Sequence, residues 1–276
     1  MDKINIKKLL PKIDKKRHKY ETGFVVGVAG SAGMWGAAKL ASLAAYRSGC
    51  GIVKIITENE IPSPFYELVN LVIDYNNLEE IIETCNKADS IFLGPGLGRD
   101  KKIEKFLIEM LPKLNKKTII DADGLYHLAN NHYTLLFRET ILTPHKKEML
   151  RLLKKDNLPD EELIIKTQKF SEEKKVMIVL KGYPTIIFHP AKEPLTIFGG
   201  DPGLARAGTG DVLTGMIASF SSQKMDLYNS AILAVCMHFK AAELASNKKT
   251  SYSMLATDVI KCLPEAFKFY LEMSSH

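Results

Sequence analysis

Residues 208–211, Gly-Thr-Gly-Asp, set three small residues directly ahead of an acid, and the run that follows, DVLTGMIASF, has helical period. The backbone N–H groups of Gly208, Thr209 and Gly210 at such a helix start would form an anion hole, with the helix dipole adding positive potential. That hole suits the phosphoryl group in transfer chemistry, where electrostatic positioning supplies most of the catalysis. Asp211 then looks misplaced, because a carboxylate repels phosphate. Either it is a general base that takes the proton of a hydroxyl attacking the phosphate, or it is an ordinary first-turn acid interacting with the dipole.

Four other junctions carry residues of this kind. GVAGSAGMWGAAKL repeats glycine at 27, 30, 33 and 36, a spacing that is neither the Rossmann nor the phosphate-loop pattern; it reads equally as a close ligand approach or as a tight strand-to-helix connection. FLGPGLGRD offers backbone groups, with Asp100 placed to cap the next helix. IIDADGL puts Asp121 and Asp123 at a strand end, as substrate-orienting carboxylates or as a helix cap. ILTPHKKEML spaces His145 and Glu148 by three, on one side of a helix start.

The elements that must position these loops follow from periodicity. FVVGVA, GIVKIIT, SIFLG, KTIIDA, ETILT, VMIVLKG and TIIFH read as strands, several of them apolar at nearly every position. A parallel sheet covered on both faces requires such strands, and its ligands bind beyond the strands' carboxyl ends. Helical patterns alternate with them, and the last third is mostly helical. The fold class is therefore α/β, with helices on both faces of a mostly parallel sheet. At 276 residues, without a polar linker or internal repeat, residues 1–276 are expected to form one domain.

Composition excludes several classes. Hydrophobic residues make up 46% and charged ones 25%, as in a folded globular protein. The net charge of +6 comes from 38 Lys and Arg interleaved with 32 acids, and the one dense basic stretch, KKLLPKIDKKRHK, lacks interleaved aromatics, so no nucleic-acid partner is expected. Cys50, Cys85, Cys236 and Cys262 show no zinc-ligand spacing and read as buried thiols of a reducing compartment. No secretory signal and no membrane span stand out, which gives a cytoplasmic expectation.

The motifs taken in order, LLP at 9–11, HKYETG at 18–23, VAGSAGMWGAAKLA at 28–41, GPGLG at 94–98, DADGL at 121–125, LTPHKKEM at 142–149, LKGYPTI at 180–186 and GGDPGLARAGTGDVLTG at 199–215, resemble a known family. The chain resembles the ribokinase-like superfamily and, within it, the ADP-dependent NAD(P)H-hydrate dehydratases.

The resemblance implies dehydration of the 6S hydrate of NADH or NADPH at the expense of ADP, giving AMP and phosphate. It implies that Ala37, Gly98 and His145 touch the hydrate and that Asp211 acts on it. Lys181, Gly182, Tyr183, Pro184 and Thr185 would line the adenine nucleotide, and Gly208, Thr209 and Gly210 would hold the phosphate being moved. Glu148 would bind magnesium (Mg2+) through water.

The resemblance also implies a homotetramer and, with only about 20 residues before the first strand, a lone dehydratase domain served by a separate NAD(P)H-hydrate epimerase. Asp201, Ala207 and Tyr20 depart from the family pattern, and Asp201 adds negative charge near the phosphate site. Two other functions fit the same pattern: a small-molecule kinase of this superfamily acting on a thiazole or pyridoxal alcohol, and a non-catalytic nucleotide-sensing module. The residues leave NADH-hydrate against NADPH-hydrate, and ADP against ATP, open.

Overall fold

A computed structural model contains the strands β1 (Phe24–Val28), β2 (Ile52–Thr57), β3 (Val69–Val72), β4 (Ser90–Leu93), β5 (Lys117–Ile120), β6 (Thr140–Leu142), β7 (Met177–Leu180), β8 (Thr185–His189) and β9 (Lys192–Ile197), most of them apolar runs. It describes residues 5–13, 15, 16, 18–130 and 139–273; Asp14 and Arg17 of the basic stretch lie outside them. The helices are α1 (Ile6–Leu9), α2 (Trp35–Arg47), α3 (Leu78–Lys87), α4 (Lys101–Met110) and α5 (Asp123–Leu128), then α6 (Lys146–Leu152), α7 (Asp160–Lys174), α8 (Thr209–Ser222), α9 (Leu227–Lys249) and α10 (Ala256–Glu272).

The strands make one nine-stranded sheet in the order β3-β2-β1-β4-β5-β6-β7-β8-β9. Pairs from β3 through β7 are parallel. β8 and β9 are antiparallel additions at one edge. The α/β expectation holds. β3, β9 and α3 were not among the segments singled out by periodicity: β3 is only half-buried and β9 mixes charged and apolar residues, so neither shows an unbroken apolar run.

Side chains alternate across the sheet with the strand period of two. Val25, Val53, Ile55, Phe92, Ile119, Ile141 and Val179 face one core with α2, α8, α9 and α10. Val26, Val28, Ile56, Ile91, Leu93, Ile120, Leu142 and Ile178 face the other, with α3, α4, α6 and α7. Both faces are covered, which explains why the central strands are apolar throughout. Gly27 belongs to this packing and not to a ligand loop: it lies inside β1, and a Cβ there would stand 2.3 Å from Phe92 and 2.5 Å from Ile55.

α8 carries the Gly-Thr-Gly-Asp run, and its position depends on α2. A Cβ on Gly215 would meet the Ala41 carbonyl oxygen at 1.9 Å, so the two helices touch backbone to backbone at this point. Alanine is the better helix former by about 1 kcal/mol, yet overpacking a close contact costs about 1–3 kcal/mol. Gly215→Ala is expected to lower stability in urea denaturation; a variant as stable as the parent would show that α8 is free to move away from α2.

Candidate active site

Three neighbouring parallel strands deliver the charged groups. Asp121 follows β5, His145 follows β6 and Lys181 follows β7. Beyond the strands proper, Lys181 N–H donates to the Pro144 carbonyl at 2.8 Å and Thr143 N–H to the Ile120 carbonyl at 3.1 Å, so the loops stay in register as they leave the sheet. Lys181 Nζ then reaches across to Asp121 Oδ1 at 2.7 Å. Thr214 of α8 donates its hydroxyl to Asp121 Oδ2 at 2.7 Å. Asp121 is buried, and burial alone would raise its pKa, but Lys181, Thr214 and Thr143 together hold it below the ordinary carboxylate value.

α8 begins at Thr209, two residues earlier than the DVLTGMIASF reading, with Gly208 at φ 91° as its N-cap. Only glycine takes that angle readily, and a Cβ there would stand 2.6 Å from Leu40. The helix start therefore presents the amides of Gly210 and Asp211 within its first turn, where orphan N–H groups and the dipole attract anions. Gly210 also has a packing reason: its Cβ would lie 3.2 Å from Lys181 Nζ.

Asp211 sits half-buried in that first turn. Burial, then the negative charges of Asp121, Asp123 and Glu148, push its carboxyl up to about 7 against the opposing pull of Lys181. A base poised near neutrality is suited to taking a proton from an attacking hydroxyl. Lys181 is held above the ordinary ammonium value; burial works against this, but Asp121, Glu148 and Asp211 prevail.

His145 caps α6. Its Nδ1 accepts from Glu148 N–H at 3.2 Å while Glu148 Oε2 accepts from His145 N–H at 2.8 Å, a reciprocal capping box. Glu148 Oε1 lies 3.6 Å from the free His145 Nε2, and Glu148 Oε2 lies 4.0 Å from Lys181. Burial first, with Asp121 adding to it and Lys181 opposing, raises the Glu148 pKa.

The glycine loops after β1 and β4 lie along the same carboxyl-end rim of the sheet. Gly30 N–H donates to the Pro95 carbonyl at 2.9 Å, and Ser31 Oγ donates to the Gly96 carbonyl at 2.9 Å. A Cβ on Gly96 would meet Ala37 at 3.2 Å, which brings α2 and the Gly-Pro-Gly-Leu-Gly loop together. Gly98 N–H donates to Asp123 Oδ2 at 3.0 Å. Asp123 thus links the Gly98 loop to the charge cluster at Asp211. Neither Asp121 nor Asp123 is a helix cap; Ala122 holds the N-cap position of α5.

A cavity of about 880 Å³ opens between Lys181, Gly182, Tyr183 and Thr185 on one side and Thr209, Gly210, Leu213 and the Gly200–Arg206 loop on the other, with His145 at its edge. It is of ordinary size for a cofactor or nucleotide. With this geometry, the sequence match to the NAD(P)H-hydrate dehydratase family over residues 25–265 decides the assignment. The chain belongs to that family.

An ADP-dependent (S)-NAD(P)H-hydrate dehydratase of Enterococcus faecalis is 30% identical over 92% of this chain and 88% of its own length. A bifunctional NAD(P)H-hydrate repair enzyme of Moorella thermoacetica is 31% identical over 92% of this chain and 51% of its own length; the chain spans about half the length of the bifunctional relatives it matches. The ADP/ATP-dependent NAD(P)H-hydrate dehydratase of Bacillus subtilis, co-crystallised with ATP/Mg2+, superposes with a TM-score of 0.81 at 27% identity, covering 96% of each chain.

Among the family residues expected here, Lys181, Gly182, Tyr183, Thr185, Thr209, Gly210 and His145 line the cavity. Pro184, Gly208, Ala37 and Gly98 are not among the lining residues; Ala37 and Gly98 belong to the glycine loops and the helix packed on them. The Tyr183–Pro184 peptide is cis. Asp201 does not present a bare charge: its Oδ1 accepts from Gly203 N–H at 2.7 Å and its Oδ2 from Ser251 at 2.9 Å. Those bonds outweigh burial and hold its pKa low.

Thr214 and the Asp121–Lys181 pair were missed as a unit by motif reading, because the partners lie 60 residues apart. His238 and Phe239, which line the cavity from the middle of α9, left no motif at all. Removing one partner of a buried pair strands the other charge, at a cost of about 3–5 kcal/mol. Lys181→Met is expected to lose about that much in chemical denaturation at neutral pH; a loss under about 1 kcal/mol would show that Asp121 is solvated.

Proposed function

We propose that this protein dehydrates the 6S hydrate of NADH or NADPH at the expense of ADP, producing the reduced dinucleotide, AMP and phosphate. The observation that carries the proposal is the placement of Asp211, a carboxyl raised to about 7, inside the first turn of the helix whose amides would receive a phosphoryl group. The family match supplies the substrate class.

In this reading the adenine nucleotide occupies the 880 Å³ cavity, with the segment from Lys181 to Thr185 along the nucleoside and the Gly208–Gly210 turn at the terminal phosphate. The hydrate lies against Ala37, Gly98 and His145. Asp211 accepts the proton of the C6 hydroxyl as that oxygen bonds to the terminal phosphorus of ADP and the bond to AMP breaks. The ring nitrogen's lone pair then expels phosphate from C6, and loss of a proton from the neighbouring carbon restores the double bond.

Magnesium fits the residues present in a limited way. Glu148 offers a hard carboxylate donor beside Asp121 and Asp211, where negative charge exceeds the single Lys181 ammonium. Among the described residues no group of three His, Cys, Asp or Glu side chains could hold a metal by itself. Glu148 would therefore hold the ion through water, with nucleotide phosphates completing the shell, as magnesium prefers. When bound, the ion would neutralise phosphate charge.

An epimerase that supplies the 6S hydrate is the proposed functional partner. A homotetramer completes the reading, supported by the family resemblance; a cytoplasmic site of action rests on the composition and the buried free cysteines. No helix among the described residues is long and apolar enough to cross a membrane.

The test is incubation of the purified protein with NADH hydrate and ADP. Recovery of the reduced-nicotinamide absorbance with equimolar AMP and phosphate is expected; accumulation of a stable phosphorylated alcohol would point to the kinase reading, and no turnover to a binding module. Asp211→Asn is expected to lower turnover about a hundred- to ten-thousand-fold. Because the folded-state pKa of Asp211 is raised, the stability it contributes is present below 3.8 and lost as pH rises through about 7. The Asn variant should therefore be at least as stable as the parent in alkaline denaturation, which separates loss of the base from loss of the fold.

A further inference from the structure

Two guanidinium groups converge on one tyrosine ring at the glycine rim. The Arg99 Cζ lies 4.8 Å and the Arg151 Cζ 5.2 Å from the centre of the Tyr126 ring. They come from different parts of the chain: Arg99 follows Gly98, and Arg151 belongs to the last turn of α6. Both are exposed. Arg99 Nε donates to Asp123 Oδ1 at 2.6 Å, a bond that does not use the terminal nitrogens. Arg151 reaches the same ring from α6.

Two cations are thus held against one ring, and Arg99 also bonds Asp123. Each stacked guanidinium gains only about 0.5–1 kcal/mol from the ring at an exposed site. What the arrangement gains is orientation: the aromatic face fixes the planar forks, which are suited to bidentate contact with phosphate oxygens.

The patch is wired to the rim where the hydrate is placed. Asp123 bonds Gly98 N–H with one oxygen and Arg99 with the other, and His127 Nε2 lies 3.0 Å from the Gly98 carbonyl oxygen. On its other side, Asp123 is close enough to Asp211 for its charge to act on that carboxyl. A molecule with its reacting ring at Asp211 and its chain leaving past Gly98 would carry its next anionic group towards Arg99.

We propose that Arg99 and Arg151, aligned by Tyr126, form a clamp for a phosphate of the dinucleotide hydrate. This rests on the dehydratase reading above, in which Gly98 contacts the hydrate. The phosphate is either the pyrophosphate, shared by both hydrates, or the ribose 2′-phosphate, present only in NADPH hydrate. The clamp binds substrate and takes no part in proton transfer.

The test is steady-state kinetics of Arg151→Ala with NADH hydrate and NADPH hydrate, each at saturating ADP. The clamp predicts a KM for hydrate raised about tenfold, equivalent to about 1.4 kcal/mol, with kcat within about twofold and KM for ADP unchanged. An equal rise for both hydrates assigns the pyrophosphate; a rise for NADPH hydrate alone assigns the 2′-phosphate. Arg151→Lys should recover part of the loss, and Arg99→Lys should keep charge but lose the fork and raise KM in the same direction. Unchanged KM for both hydrates in Arg151→Ala would overturn the clamp while leaving the dehydratase intact. Equal changes in the KM of ADP and hydrate would also overturn it, as would parent protein that turns over neither hydrate, which defeats the dehydratase reading too.

Discussion

The ion pair between Lys181 and Asp121 is the constraint on which the rest of the site depends. It closes over the end of β6, joining the loops after β5 and β7, and Thr214 ties the same carboxylate to α8. A lone carboxylate at this depth would be costly; paired and hydrogen-bonded, it becomes a fixed negative charge. That charge does two things. It holds Lys181 protonated beside the first turn of α8, and it helps keep the proton on Asp211 until the surroundings approach neutrality.

The helix that carries Asp211 is placed by absence of side chains more than by their presence. Gly215 lets α8 press on the α2 backbone, Gly208 supplies the left-handed cap, and Gly210 leaves room for the Lys181 ammonium. The first of these sets the distance between α8 and α2, and the other two set the entry of its first turn. Substituting bulk at any of them would shift the amides and the base together, because both belong to one turn of helix. The first-turn amides and the Asp211 carboxyl therefore move as a unit, which suits the proposed reaction, in which the phosphorus and the attacking oxygen must meet.

Much of this was legible in the amino-acid sequence, and the reasons are particular. Strands such as Phe24–Val28 are apolar at each position because both sheet faces are covered, so they stand out as runs. Asp100 announced itself as a cap, and its side chain accepts from Ile103 N–H. His145 and Glu148 stand three residues apart, and the capping box joins them. What stayed hidden depends on distance along the chain or on packing. Neither Asp121 nor Lys181 marks the other as its partner, Gly27 looks like a ligand-loop glycine until Phe92 is seen beside it, and His238 is a buried polar residue set in the apolar middle of α9. The true start of α8 was obscured because Gly-Thr-Gly has low helix propensity, and tertiary contacts override it.

The proposed chemistry requires Asp211 to be a neutral acid below neutrality and a base above it because of where the fold places it. The pH dependence of kcat for hydrate dehydration, measured at saturating hydrate and ADP, tests this most directly. The rate should rise as the pH passes through about 7, following ionisation of that carboxyl. A kcat that stays level across neutrality, with the protein folded throughout, would contradict the claim that the buried charge cluster sets the base.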